Sequence, residues 1–182
     1  PAAQAVGTGQ HQTTAGCLEM LAIMKRRGRA ARRVADIGTG TGLLGFAAMT
    51  LWPGAEATAS DIDAVCVDVV EQNADLNGIA MGPGPGEMTM VVADGMEDPL
   101  LLARGPYDLL IANILAGPLV ELAPDFAASV SPRGDLVLAG LLAGEQEQQV
   151  RRAYKRAGFM PLARLHRGDW AILWLRKRPS WR

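Results

Sequence analysis

Apolar residues in this chain fall into short runs that end in glycine- and aspartate-rich turns, and the stretches between the runs carry helical spacing. Cys17, Leu18, Leu21, Ala22 and Met24 form an apolar stripe with Thr13 or Thr14 as N-cap and Gly28 as stop, which predicts a helix there. Residues 1–12, rich in Gly and Gln, read as a loop. The runs Val34–Ile37, Ala57–Ser60, Met88–Ala93, Tyr107–Ala112 and Leu136–Ala139 read as strands, each followed by a helical or turn segment. Helices are predicted over Leu43–Trp52, from a cap at Asp63 to Asn77, over Pro118–Val130 with a bend or restart at Pro124, and over Glu145–Ala157. Gly82-Pro83-Gly84-Pro85-Gly86 reads as a mobile, turn-rich loop. Phe159–His166 and Trp170–Leu175 form a hairpin across Arg167-Gly168-Asp169. Five β-then-α units and a terminal hairpin predict an α/β fold with seven strands, mostly parallel and closed by an antiparallel hairpin.

Length and composition narrow the picture. A chain of 182 residues with 49% hydrophobic and 20% charged residues suits one domain with a substantial core and excludes a disordered chain. No apolar run approaches the ~18 residues of a membrane span, and no signal peptide opens the chain. Two cysteines, Cys17 and Cys66, are too few for a disulfide scaffold, and no His, Cys or acid cluster has metal-ligand spacing. A reducing cytoplasm is the expected compartment. The net charge of −1 hides a pattern: residues 1–33 carry +5, residues 34–132 carry −13 and residues 133–182 carry +7. Six of the nine residues Lys25–Arg33 are basic, but they lie at a helix end and a loop and lack interleaved aromatics; the basic flanks support no nucleic-acid claim, and direct nucleic-acid binding by the chain is not expected.

In open α/β sheets ligands bind beyond the carboxyl ends of the strands. The residues there are Gly38–Gly42, Asp61, Asp94, Asn113 and Gly140. Singly, each is an ordinary turn residue; together they outline a site. The loop Asp36-Ile37-Gly38-Thr39-Gly40-Thr41-Gly42 lets the backbone approach a ligand and leads into a helix N-terminus that presents free N–H groups. Asp61, 23 residues beyond Gly38, suits ribose hydroxyls, and Asp94 suits an adenine amino group. Gly40–Gly45 also matches G-x-G-x-x-G, so the glycines alone indicate a nucleoside-containing cofactor without saying which. Asp36 before the first glycine gives D-x-G-x-G-x-G, which resembles S-adenosylmethionine-dependent methyltransferases and places an acid near the cationic methionyl end of that cofactor.

Longer segments sharpen the resemblance. Residues 6–16, Val-Gly-Thr-Gly-Gln-His-Gln-Thr-Thr-Ala-Gly, resemble the G-T-G-x-H-x-T-T segment of the PrmA family, bacterial methyltransferases of ribosomal protein L-eleven. Residues 112–119, Ala-Asn-Ile-Leu-Ala-Gly-Pro-Leu, match its A-N-I-L-A-x-P-L, and Ser60-Asp61-Ile62-Asp63 resembles its D-I-D element. Leu138–Leu142 and Gly168-Asp169-Trp170 are similar to its later S-G-I-L and G-E-W segments. The resemblance implies a Rossmann-like methyltransferase fold, S-adenosylmethionine as cofactor, and Thr14, Gly38, Asp61 and Asn113 as residues that bind it. It also implies that Gly7–Thr14 folds over the cofactor, with N–H groups at Thr14 available to its carboxylate. With Asp36, Gly40, Gly42 and Asp94 these complete the expected cofactor site.

Asn113 is the candidate catalytic residue, its side-chain amide oxygen orienting an acceptor amine. Many amino-methyltransferases carry an Asn- or Asp-Pro-Pro-aromatic element here, whereas this chain has Asn113-Ile114-Leu115. Two further departures are Val6 where the family has Phe, and Pro132-Arg133-Gly134 where it has P-G-G. The chain is expected to be one methyltransferase domain, residues 1–30 covering the cofactor and 31–182 forming the core, without the family's N-terminal substrate-recognition domain. The expected reaction is methyl transfer to lysine or N-terminal amines of a large-subunit ribosomal protein. The alternatives are a methyltransferase of another protein or of RNA, a non-catalytic cofactor-binding domain, and, more remotely, an NAD-dependent oxidoreductase. Titration with S-adenosylhomocysteine and with NAD separates the last from the rest.

Overall fold

The computed structural model describes residues 2–179, with side chains from residue 10 onward. Its elements are α1 (Ala2–Arg26), β1 (Arg33–Ile37), α2 (Leu43–Leu51), β2 (Glu56–Asp61), α3 (Val65–Leu76), β3 (Ala80–Met81), β4 (Glu87–Val92), α4 (Pro99–Ala103), β5 (Tyr107–Asn113), α5 (Ala116–Glu121), α6 (Ala123–Ser129), β6 (Val130–Leu142), α7 (Glu145–Arg156), β7 (Phe159–Arg167) and β8 (Trp170–Lys177). They build one sheet in the order β3-β4-β2-β1-β5-β6-β8-β7. β3, β4, β2, β1, β5 and β6 are mutually parallel, and β8 runs antiparallel to both β6 and β7.

The central strands are apolar on both faces because both are covered. Along β5, Leu109 and Ile111 join the core beneath α1 and α2, while Leu110 and Ala112 join the core beneath α5, α6 and α7. The same alternation places Val137 and Ala139 on one side of β6 and Leu136 and Leu138 on the other. Trp174 is buried in the first core, and Tyr154 anchors the second with its hydroxyl on the Leu119 carbonyl at 2.8 Å.

Several expectations change. The sheet has eight strands rather than seven; β3 is a two-residue strand, too short to leave a period in the sequence. The segment expected as a loop over residues 1–12 is helical from Ala2, continuous with α1. The strong helix formers around Ala2–Ala5 extend a helix that the glycines at 7 and 9 alone would not hold. The helix foreseen over Pro118–Val130 starts earlier, at Ala116, and restarts at Pro124 as expected, giving two helices that meet at Leu122. The Gly82–Gly86 loop is tied down: Gly84 N–H donates to Glu87 at 2.8 Å, Gly86 N–H to the Ala55 carbonyl at 2.9 Å, and Arg104 to the Pro83 carbonyl at 3.2 Å. Cys66, expected to be buried, is half-buried. No helix among the described residues is long and apolar enough to cross a membrane.

The hairpin is locked to the core by one buried carboxylate. Asp135 on β6, 1% exposed, accepts from Trp174 Nε1 at 2.9 Å and Arg176 Nε at 3.1 Å through one oxygen, and from Arg29 Nε at 2.7 Å through the other. It thereby joins β6, β8 and the segment after α1. Asp135→Ala strands the buried indole N–H and unpairs two guanidinium groups that keep partial access to water. We expect a loss of about 2–4 kcal/mol in urea unfolding, with the native fold retained.

Candidate functional site

β1, β2, β4 and β5 end on the same edge of the sheet, and the chain order reverses between β1 and β5. That switch point opens a crevice. A cleft of about 350 Å³ occupies it, lined by Gly38, Asp61, Ile62, Asp94, Ile114 and Leu115 among others. Three of the residues expected from sequence, Gly38, Asp61 and Asp94, therefore converge on one cavity from three strand ends.

The glycine loop is held from below. Asp36, 2% exposed at the end of β1, accepts from the Thr39 hydroxyl at 2.7 Å and from the Gly45 N–H at 2.9 Å, both through Oδ2. Gly45 lies in the first turn of α2, whose N-cap Gly42 has no side chain to offer. Asp36 thus supplies the cap from a neighbouring strand. This alters the expected role: the carboxylate does not line the cleft but organises the loop that does. It also disfavours a pyrophosphate there, because a carboxylate already occupies the helix N-terminus that a dinucleotide would use. Burial pushes the Asp36 pKa up from 3.8 to about 6, against the pull of the Thr39 and Gly45 hydrogen bonds and with a small further rise from Asp61. Cys17 of α1 is buried, and burial raises its thiol to about 12, with Asp36 adding to the rise.

From above, Asp61 fixes the loop at its tip. Its Oδ2 accepts from Gly40 N–H at 2.9 Å and its Oδ1 from Asp63 N–H at 3.1 Å. Each oxygen keeps a lone pair for a ligand hydroxyl. Thr39 N–H donates to the Ser60 carbonyl at 2.9 Å, and Asn73 of α3 donates to the Thr41 carbonyl at 2.9 Å. Gly38, Gly40 and Gly42 all have positive φ, and nothing lies within 4 Å of where a Cβ on Gly40 would stand. The loop therefore faces open space at Gly40. A Cβ on Gly42 would instead meet the Phe46 ring at 2.6 Å, so Gly42 serves packing and does not line the cleft.

Asn113 ends β5 beside the cleft, half-buried, and its side chain makes no hydrogen bond to another described residue. Ile114 and Leu115 after it form the wall, with Leu115 70% exposed. Gly140, expected just after a strand, lies within β6, which runs on to Leu142 through an irregularity between Leu138 and Leu141; it allows the turn after β5 to exist, because a Cβ there would stand 2.1 Å from the Ile114 carbonyl oxygen. Thr14 does not reach the cleft. It lies mid-helix in α1, so its N–H belongs to the helix ladder and not to a free N-terminus as expected. Gly7 and Val6, expected over the cofactor and near it, fall among residues whose side chains lie outside those described.

Sequence reasoning missed the apolar walls, Ile62, Ile114, Leu115 and Leu122. Their one signal was a large apolar residue immediately after a strand-end polar group, as in Asp61-Ile62 and Asn113-Ile114. The set fits a purine riboside: a carboxylate with spare lone pairs, an acid across the cavity at Asp94, flat apolar walls and a backbone open at Gly40.

The raised Asp36 pKa has a pH consequence. The folded state binds this proton more tightly than the unfolded chain, so the stabilisation from protonation is complete below about pH 4 and is lost as pH rises through about 6. Asp36→Asn keeps an acceptor for Gly45 and removes the charge. Its unfolding free energy minus that of the parent should climb between about pH 4 and 6 and stay flat above about 7. A difference that is flat throughout, measured by urea titration at each pH, contradicts the buried carboxylate.

Comparison with known proteins agrees with this geometry. The family described as Ribosomal protein L11 methyltransferase (PrmA) matches residues 2–178. The ribosomal protein L11 methyltransferase of Agrobacterium fabrum is 42% identical over 176 residues, covering 97% of this chain and 58% of its own length. That of Sinorhizobium fredii is 42% identical over 178 residues, with the same coverage. The chain thus spans a little over half the length of these relatives. A crystal structure of a ribosomal protein L11 methylase from Lactobacillus delbrueckii subsp. bulgaricus is similar with a TM-score of 0.76 at 29% identity, covering 92% of this chain and 80% of that one. The N-methyltransferase NodS of Bradyrhizobium japonicum, solved with S-adenosyl-L-homocysteine, shares the fold with a TM-score of 0.68 at 11% identity. With its fold, its strand-end site and a match along almost its whole length, this chain belongs to the ribosomal protein L11 methyltransferase (PrmA) family.

Proposed function

We propose that the chain is the catalytic domain of an S-adenosylmethionine-dependent protein N-methyltransferase. Its acceptor is an amine, a lysine side chain or an N-terminus, of a large-subunit ribosomal protein in the cytoplasm. Recognition of that protein is assigned to a domain outside this sequence. The observation that carries the proposal is the convergence of Gly38, Asp61 and Asp94 on one cleft with Asn113 at its side.

Asp61 would hold the ribose hydroxyls through its spare lone pairs, Asp94 the adenine amino group, and Ile62, Ile114 and Leu122 the faces of the purine. When bound, S-adenosylmethionine supplies a methyl group already activated by a sulfonium. The protein is left to position the acceptor and exclude water. A lysine amine begins near a pKa of ~10.4 and must lose a proton to present its lone pair. Carboxylates such as Asp61 and Asp94 would raise that pKa, so their part is to draw in and hold cations. Activation falls to desolvation against Ile114 and Leu115, and aim to the Asn113 amide oxygen, which takes an amine hydrogen and fixes the direction of the lone pair.

Calorimetric titration should show S-adenosylhomocysteine binding and no binding of NAD. Asp61→Asn should weaken the former about tenfold to a hundredfold, because an amide presents a donor where Gly40 or Asp63 already donates. In a full-length enzyme given labelled S-adenosylmethionine and a ribosomal extract from cells lacking the activity, label should appear in one ribosomal protein. Asn113→Ala should lower that transfer at least tenfold with cofactor affinity changed less. Label in RNA, or unchanged turnover of the variant, would overturn the acceptor or the Asn113 role respectively.

A further inference from the structure

Four groups hold the glycine loop, and three of them come from strands. Asp36 of β1 takes the Thr39 hydroxyl, while the Ser60 carbonyl and Asp61 carboxylate of β2 take the N–H groups of Thr39 and Gly40. The fourth is Asn73 of α3, whose Nδ2 donates to the Thr41 carbonyl at 2.9 Å, across 32 positions of sequence. Thr41 is exposed, and among the described residues no other side chain bonds its backbone.

The peptide between Thr41 and Gly42 is tied at both ends. Its carbonyl accepts from Asn73, and its N–H donates back to the Thr39 carbonyl at 3.1 Å, closing the turn. Gly42 has a φ of 86°, a conformation that hydrogen bonds rather than a Cβ must hold in place. The same turn carries Gly40, the partner of Asp61, and follows directly on Gly38. Gly38 and Asp61 both line the cleft, so a change in the setting of this peptide is felt by the ligand.

Asn73 stands on a firm post. Its helix neighbours Val70 and Ala74 are fully buried in the first core. Its own carbonyl accepts from Asn77 twice, from the backbone N–H at 3.1 Å and from Nδ2 at 2.7 Å. Asn73 is half-buried and is not among the residues that line the cleft. Asn is a weak helix former, so its place inside α3 gains nothing from propensity, whereas its amide supplies the one bond that α3 makes to the loop.

We propose that Asn73 is a positioning residue for cofactor binding. It acts through the Thr41 carbonyl, holds the glycine loop in the form the cleft requires and does not touch the ligand. The ligand is the adenosyl cofactor of the proposed function, on which this role rests. The loop bears on ground state and transition state alike, so the role belongs to affinity and not to the chemical step.

The test combines calorimetric titration with S-adenosylhomocysteine, amide hydrogen exchange of the ligand-free chain and steady-state kinetics of a full-length enzyme carrying the same changes. Asn73→Ala should weaken S-adenosylhomocysteine binding about fivefold, the effect of one neutral hydrogen bond. Asn73→Asp, nearly the same shape without the donor, should lose at least as much. In both variants the Gly42 amide should exchange about fivefold faster, with the amides of β1 and β2 unchanged. Asn77→Ala loosens the same end of α3 without reaching the loop and should bind as the parent does. In the full-length enzyme, Asn73→Ala should raise KM for S-adenosylmethionine about fivefold and leave kcat within about twofold. Parent-like affinity in Asn73→Ala, equal losses in Asn73→Ala and Asn77→Ala, or faster exchange spread evenly over the sheet would each overturn the role. Absence of binding by the parent would overturn the proposed function together with this role, whereas a binding parent beside an unaffected Asn73→Ala overturns this role alone.

Discussion

The site depends on the buried carboxylate of Asp36. It bonds the Thr39 hydroxyl and the Gly45 N–H through one oxygen, so the loop above β1 and the helix beyond it are set by a single side chain. Loop residues in the left-handed region cannot rely on a regular ladder for their hydrogen bonds, and Asp36 supplies what Gly42 lacks. The cost is a charge held away from water, visible in its raised pKa. From the outer side Asp61 and Asn73 clasp the same loop. Two aspartates of similar sequence context therefore do different work: one is consumed by the scaffold, and the other retains acceptor capacity facing the cleft.

A comparable division governs the turn after β5. Asn113 and Ile114 stand where they do because Gly140 of the neighbouring strand leaves room for the Ile114 backbone, and because β5 and β6 are held in register from Leu109 with Asp135 to Asn113 with Ala139. Asp135 in turn ties β6 to β8 and to Arg29. The rigidity of a candidate acceptor pocket is thus linked to a carboxylate on the far edge of the sheet through one strand.

Charge is distributed with the same economy. The strand-end edge carries Asp61, Asp63 and Asp94, which suits the proposed cationic cofactor. Asp61 and Asp94, from two different strand ends, share one cleft because parallel strands send their carboxyl ends one way.

The sequence by itself determined the order of the longer strands and helices, though not the short β3 and α4, together with the sheet class and the strand-end address of Gly38, Asp61, Asp94 and Asn113. These follow from local period, turn chemistry and the fact that parallel strands share one functional edge. The motifs at residues 6–16 and 112–119 determined the family. Tertiary structure alone decided which polar groups remain free. Asp36 and Asp61 look alike in sequence, and only the position of Gly45 and Gly40 N–H groups assigns one inward and one toward the cleft. Likewise, Lys25–Arg33 reads as more basic than α7, yet aromatic rings and Asp135, distant in sequence, engage much of it, whereas among the described residues Arg152, Lys155 and Arg156 of α7 have no carboxylate partner. Whether a charged or polar side chain is already paired is a property of long-range contacts, and local sequence does not contain it.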